Sequence, residues 1–342
     1  MTVFEKKIKK ASRINNLQTH TFTSLTPNQK LTLNELKQST EIIIMPTDKN
    51  LGPAILNRDK YIKQVLTEHL LTPSYLKMTS NLATPQNSHT KQLLITNFQT
   101  YKHTLSQPEL DFFTRSFKDQ HPTPIFNGLL KVHKTPVQLR PVVSCVNSFP
   151  SIFSTWLDFR MKELLHLIPS YIKNSSNLNK ELQNINLPEN AKLFTVDASS
   201  MYTNIDTTTG FEAFRQLFSL YTNLIPVDFP KDFFLQTLEI VMSNNILTFG
   251  DTFWLQLQGT AMGTPAAPLY SIITYGYYEN THILNTYQDN LIYYKRYIDD
   301  IFGIWIDYTS WEEYKKNFKS IWASPMECQK TNHIHHIFRS LD

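Results

Sequence analysis

Residues 292–306 read IYYKRYIDDIFGIWI. Two runs rich in β-branched and aromatic residues, Ile292–Ile298 and Ile301–Ile306, are separated by two residues, both aspartate. Such runs on either side of a two-residue break predict a β-hairpin. Aspartate is a favoured turn residue because its side chain bonds nearby backbone N–H groups, so Asp299-Asp300 taken alone reads as a structural turn. Adjacent carboxylates nevertheless repel, and a glycine or asparagine beside one aspartate would turn the chain more easily. A bound cation would remove that penalty.

Upstream, Leu193-Phe194-Thr195-Val196 reads as a buried strand ending at Asp197, a third carboxylate. Pro268 opens a helix whose Leu269, Ile272, Ile273, Gly276 and Tyr277 follow helical spacing. Strand, helix and hairpin in this order predict an α+β architecture, with helices on one face of an antiparallel sheet. Carboxylates at the ends of neighbouring strands suit hard cations such as Mg²⁺, which prefers oxygen ligands. Two such ions, about 3.5–4 Å apart, can activate a hydroxyl and stabilise a departing pyrophosphate. Phosphoryl transfer is mostly positioning and electrostatics, so no covalent nucleophile is required.

Three ordered segments sharpen this reading: DASSMYTNI from Asp197, QGTAMGTPAAP from Gln258 and RYIDDIFGIW from Arg296. They resemble motifs A, B and C of reverse transcriptases, and the wording is closest to the Penelope-like element reverse transcriptases. Upstream, KVHK from Lys131 and LRPVVS from Leu139 resemble that family's finger motifs 1 and 2. PTDKN from Pro46 and LNRDKYI from Leu56 resemble its characteristic N-terminal stretch, so the likeness runs from about residue 41 to 306. Leu130 departs from the proline usual before the motif 1 lysine, and Thr47 and Asn50 vary the N-terminal word.

The resemblance implies a right-hand polymerase fold of fingers and palm, the palm an antiparallel sheet flanked by helices. The domains expected are a polar extension over 1–40, fingers over 41–190 and palm over 191–342. It implies an RNA-directed DNA polymerase that uses two Mg²⁺ ions, with Mn²⁺ as a substitute. Asp197 and Asp299 would be the principal metal ligands, with Asp300 assisting. Tyr202 stands where the family keeps an aromatic that blocks a ribose 2′-hydroxyl, and Gln258 and Gly259 match residues beneath the incoming nucleotide and template base. Lys131 and Arg140 are candidates for the triphosphate, since Arg offers a planar fork and Lys a point charge. Lys134, Gly263 and Tyr297 are candidates for nucleic-acid contact. The partners implied are an RNA template, a DNA primer and dNTPs, and the nucleus is the expected compartment, with the cytoplasm as alternative. Family members continue through a primer grip and a helical thumb, and many add a GIY-YIG endonuclease. With about forty residues after Asp300, the expectation is an incomplete thumb and no nuclease. The alternative reading is a remnant that binds nucleic acid without polymerising.

The rest of the chain bounds these readings. Its 342 residues, 41% hydrophobic and 13% aromatic, can build a substantial interior shared by two or three subdomains. Lys and Arg exceed Asp and Glu by 33 − 29 = 4, which permits a nucleic-acid partner without requiring one. Two distant cysteines, Cys145 and Cys328, argue against a disulfide scaffold, and Cys328 with His333, His335 and His336 fits no standard zinc spacing. No apolar stretch approaches the roughly 18 residues that span a bilayer. Local patterns predict a helix near Leu31–Lys37, a strand–turn–strand–helix unit over Ile42–Leu66, and helices over Lys91–Leu105 and Pro108–Phe117.

Overall fold

The structure, a computed structural model, describes residues 25–118, 121–198, 201–306 and 313, and residues 327–330 as backbone. The basic cluster Lys6–Arg13, Trp311, His333, His335, His336 and the segment Phe338–Asp342 lie outside the described residues. The chain divides into two compact units, Met1–Lys63 and Gln64–Asp342.

In the first unit, α1 (Pro27–Gln38) starts a turn before the expected helix. Thr26 and Gln29 explain why: each side chain accepts the other's backbone N–H, a capping box that nucleates the first turn. Strands β1 (Ile42–Pro46) and β2 (Pro53–Asn57) pair antiparallel, as the two short apolar runs predict. The link between them closes where the Thr47 amide and hydroxyl both donate to the Gly52 carbonyl, at 3.1 and 2.7 Å. Helix α2 (Arg58–Val65) follows.

In the second unit, β3 (Tyr75–Met78) and helices α3 (Ser80–Tyr101) and α4 (Gln107–Ser116) lead into β4 (Ile125–Lys131) and β5 (Gln138–Ser144). Helices α5 (Phe149–Met161) and α6 (Ser175–Leu182) precede β6 (Lys192–Asp197). Next come α7 (Met201–Asn204), α8 (Thr207–Leu220), α9 (Lys231–Ser243), β7 (Asn245–Phe249) and β8 (Thr252–Gln256). Helix α10 (Ala267–Tyr278), β9 (Leu291–Tyr297), β10 (Asp300–Trp305) and β11 (Glu327–Lys330) complete the described elements. Helix α3 begins well before the expected Lys91 and ends at Tyr101, with Pro85 accommodated near its start.

Two sheets form. One has the order β11-β6-β10-β9, antiparallel throughout, as expected for the hairpin and the Asp197 strand. The other, β3-β8-β7-β4-β5, was not foreseen as a sheet, and it takes strands from both sides of residue 190. Its β4 and β7 run parallel, joined at Ile125 and Thr248.

Helices α3, α4, α5, α8, α9 and α10 share one core with β6, β9 and β10. Its centre is aromatic: Trp156 lies 4.6 Å from Phe233, and Phe113 lies 5.0 Å from both Phe98 and Phe153. Helix α10 is buried on nearly every face, Ser271 and Thr274 included, rather than along a single stripe. A helix enclosed this way makes a rigid floor for the sheet beside it.

Candidate active site

The hairpin turn falls one residue earlier than predicted. Tyr297 pairs with Asp300, so the two-residue turn is Ile298-Asp299, and Asp300 is the first residue of β10. Asp300 lies directly opposite Asp197 in the β6–β10 ladder, and the Ala198 amide donates to the Asp299 carbonyl at 2.9 Å. The three aspartates therefore sit at one corner of the sheet, all exposed. Burial, then the charges of Asp299 and Asp197, raises the Asp300 carboxyl above its ordinary pKa. The aspartates feel one another, as adjacent carboxylates must.

Asp299 lines a cleft of about 880 Å³, whereas Asp197 and Asp300 line a neighbouring recess with Tyr297 and Lys295. Among the described residues no three His, Cys, Asp or Glu side chains gather closely enough to hold a metal ion. The donor type still fits a hard cation: Mg²⁺ commonly takes one or two carboxylates and completes its shell with water and substrate phosphates.

The cleft brings Lys131, Arg140, Tyr202 and Asp299 together. Lys131 ends β4, and Arg140 sits opposite Leu129 on the paired strand β5. Tyr202 is half-buried on α7, and its hydroxyl is raised above its ordinary pKa by burial first and then by Asp299. Glu68, His69 and Tyr75 also line the cleft, and no sequence motif singled them out. Glu68 accepts the Leu139 amide at 2.9 Å, pinning β5 one residue before Arg140. Burial, the largest influence, lowers the His69 pKa, and it pushes Tyr75 up to about 12.

The segment from Leu257 to Ala266 straps two of these elements together. The amides of Gly259 and Thr260 donate to the carbonyls of Ile205 and Tyr202, at 2.8 and 2.7 Å. Gly259 has a φ of +78°, and a Cβ there would lie 2.5 Å from the Tyr202 oxygen. Gly263, at φ +116°, would drive a Cβ into the Val143 carbonyl, beside the bond from the Val143 amide to the Met262 oxygen. Both glycines are thus required by close approach of the chain's own backbone. Met262 reaches the cleft wall, whereas Gln258, Gly259 and Gly263 are not among its lining residues. Lys134 is exposed in the β4–β5 loop, also outside the lining, and Tyr297 is 47% exposed beside the recess.

No protein-family model and no curated protein matches the sequence. Solved structures do. The chain is similar to telomerase from Candida albicans in complex with a TWJ fragment of telomeric RNA, with TM-score 0.58 and 10% identity over 90% of this chain and 52% of that one. It is similar to apo telomerase from Candida tropicalis truncated from its C-terminal domain, with TM-score 0.58 and 8% identity over 89% of this chain and 61% of that one. A further structure of apo telomerase from Candida tropicalis gives TM-score 0.57 and 9% identity, covering 87% of this chain and 54% of that one. The chain thus spans between 52% and 61% of these three telomerase chains. At such identities the likeness is one of fold: a mixed α/β, polymerase-like fold.

Proposed function

We propose that this chain is an RNA-directed DNA polymerase of a Penelope-like retroelement, adding dNTPs to a primer 3′-hydroxyl. The observation that carries the proposal is the cleft in which Lys131, Arg140, Tyr202 and Asp299 meet, four residues from four separate sequence motifs. In polymerase terms, residues 41–190 would be fingers and 191–342 palm.

Lys131 and Arg140 bind the triphosphate, the guanidinium fork gripping two oxygens and the ammonium neutralising charge. Tyr202, held by the backbone of Gly259 and Thr260, places its ring against the sugar and rejects a 2′-hydroxyl by clash. Gln258 and Gly259 support the nascent base pair from the strap, and Lys134, Gly263 and Tyr297 face the template and primer strands. Asp197 and Asp299, with Asp300, are the residues that would hold Mg²⁺ or Mn²⁺. When bound, these ions lower the pKa of the 3′-hydroxyl and neutralise the leaving pyrophosphate. An RNA–DNA hybrid would be held largely through phosphates and 2′-hydroxyls.

The split of the aspartates between cleft and recess favours a second reading, a protein that binds hybrids without extending them. Primer extension separates the two. The polymerase reading predicts Mg²⁺-dependent dNTP incorporation on an RNA template. Salt-sensitive hybrid binding with no incorporation would establish the second reading instead.

A further inference from the structure

Beneath the Ile298-Asp299 turn lies an ion pair whose two side chains have no exposed surface: Arg296 Nε donates to Glu279 Oε1 at 2.7 Å. Arg296 uses the rest of its fork on backbone. Nη2 donates to the Ile272 carbonyl of α10 at 2.8 Å, and Nη1 donates to the Ile298 carbonyl at 3.0 Å. Glu279 is held in turn by the Tyr294 hydroxyl on Oε1, at 2.8 Å, and the Ser170 hydroxyl on Oε2, at 2.6 Å. The Arg296 backbone is fixed as well, its amide donating to the Ser170 carbonyl at 2.7 Å and its carbonyl accepting the Ile172 amide at 3.1 Å.

The turn needs such a hold. Ile298 has a φ of +55°, a left-handed conformation that is unfavourable for a β-branched residue and persists only where surrounding bonds impose it. The helix floor is notched for the strut: a Cβ on Gly276 would collide with Ile168 and come within 3.4 Å of Arg296 Nη2. Core stability alone does not call for the pair. Two charges lose their hydration on burial, and well-packed apolar residues of similar volume often serve as well or better. Apolar side chains, however, cannot bind the Ile298 carbonyl.

We infer that Arg296, locked by Glu279, is a positioning residue for Asp299: it sets the left-handed turn and so the place of that carboxylate in the cleft. Its catalytic consequence rests on the polymerase reading. The turn geometry does not. Two full-chain variants test it, Arg296→Lys and the double substitution Glu279→Met with Arg296→Met. Three readouts apply: amide hydrogen exchange over residues 297–301, Mn²⁺ affinity by electron paramagnetic resonance, and incorporation kinetics.

The double variant is expected to melt at or above the wild-type temperature. Its turn amides should exchange about tenfold faster and Mn²⁺ should bind about tenfold more weakly, as expected when a positioning hydrogen bond is lost. Its kcat should fall by about tenfold or more while KM for dNTP stays within about threefold, the pattern of an interaction lost in the transition state. Arg296→Lys, which keeps the charge but loses the fork, should move the same three readouts in the same direction. A folded double variant with wild-type exchange and Mn²⁺ affinity would overturn the inference. So would a double variant that does not fold, together with an Arg296→Lys protein whose turn is unchanged. Should the wild-type chain itself incorporate nothing, the polymerase reading fails, and exchange and Mn²⁺ affinity still decide the role of Arg296.

Discussion

At the scale of single residues, Asp299 and Tyr202, two of the four side chains proposed to act in the cleft, have different surroundings. Asp299 sits on an exposed turn held from two sides, by the Ala198 amide on its own carbonyl and by Arg296 on the carbonyl of Ile298. Tyr202 is half-buried, with its carbonyl bonded to the Thr260 amide and its backbone pressed against Gly259. A ring held from behind in this way can act as a wall. Replacing Tyr202 with Ala is therefore expected to raise NTP incorporation relative to dNTP by about 10²-fold, since a clash worth a few kcal/mol is removed. Competition between dNTP and NTP in primer extension measures this, and an unchanged ratio would show that the ring does not select the sugar. Asp197, Asp299 and Tyr202 were legible in the sequence because each belongs to a recognisable motif. Glu68, His69, Tyr75 and Glu279 carry no signature of their own, and Arg296 opens the motif C segment without the motif giving it a role; what these residues do depends on neighbours distant in the chain.

At the scale of elements, the hairpin, the Asp197 strand and the β1–β2 unit were readable because their apolar runs are short, β-branched and bounded by turn residues. The sheet β3-β8-β7-β4-β5 was not. Its β3, β5 and β7 show no regular alternation of buried and exposed positions, and β3 finds its partner β8 some 180 residues away, at register pairs such as Tyr75 with Gln256. The one-residue displacement of the turn has a local cause: Asp300 pairs with both Asp197 and Tyr297, so the ladder claims it as a strand residue. The position of β5, and with it Arg140, depends on the bond from the Leu139 amide to Glu68. Glu68→Ala leaves that amide unpaired, at a cost of about 1–3 kcal/mol. The expected result is a KM for dNTP raised about tenfold with kcat changed less than about threefold, the mark of weakened ground-state binding. A fall in kcat at constant KM would place Glu68 in a different role.

At the scale of the whole molecule, an enclosed helix, α10, underlies the sheet that bears the aspartates, and the strap before it joins α7 to β5. This arrangement lets loop residues be placed by rigid elements, and it is the fold shared with the Candida telomerases. Identity near 10% explains why the likeness is evident in structure and not in sequence. In the proposed polymerase the carboxylate corner acts in catalysis and not in holding the hybrid. The most direct measurement compares wild type and Asp299→Asn, an isosteric change, for incorporation and for hybrid affinity in the same buffer. Incorporation is predicted to fall by more than about 10²-fold, with affinity within about threefold, because only transition-state stabilisation is removed. Incorporation unchanged, or lost only in proportion to hybrid binding, would contradict the account.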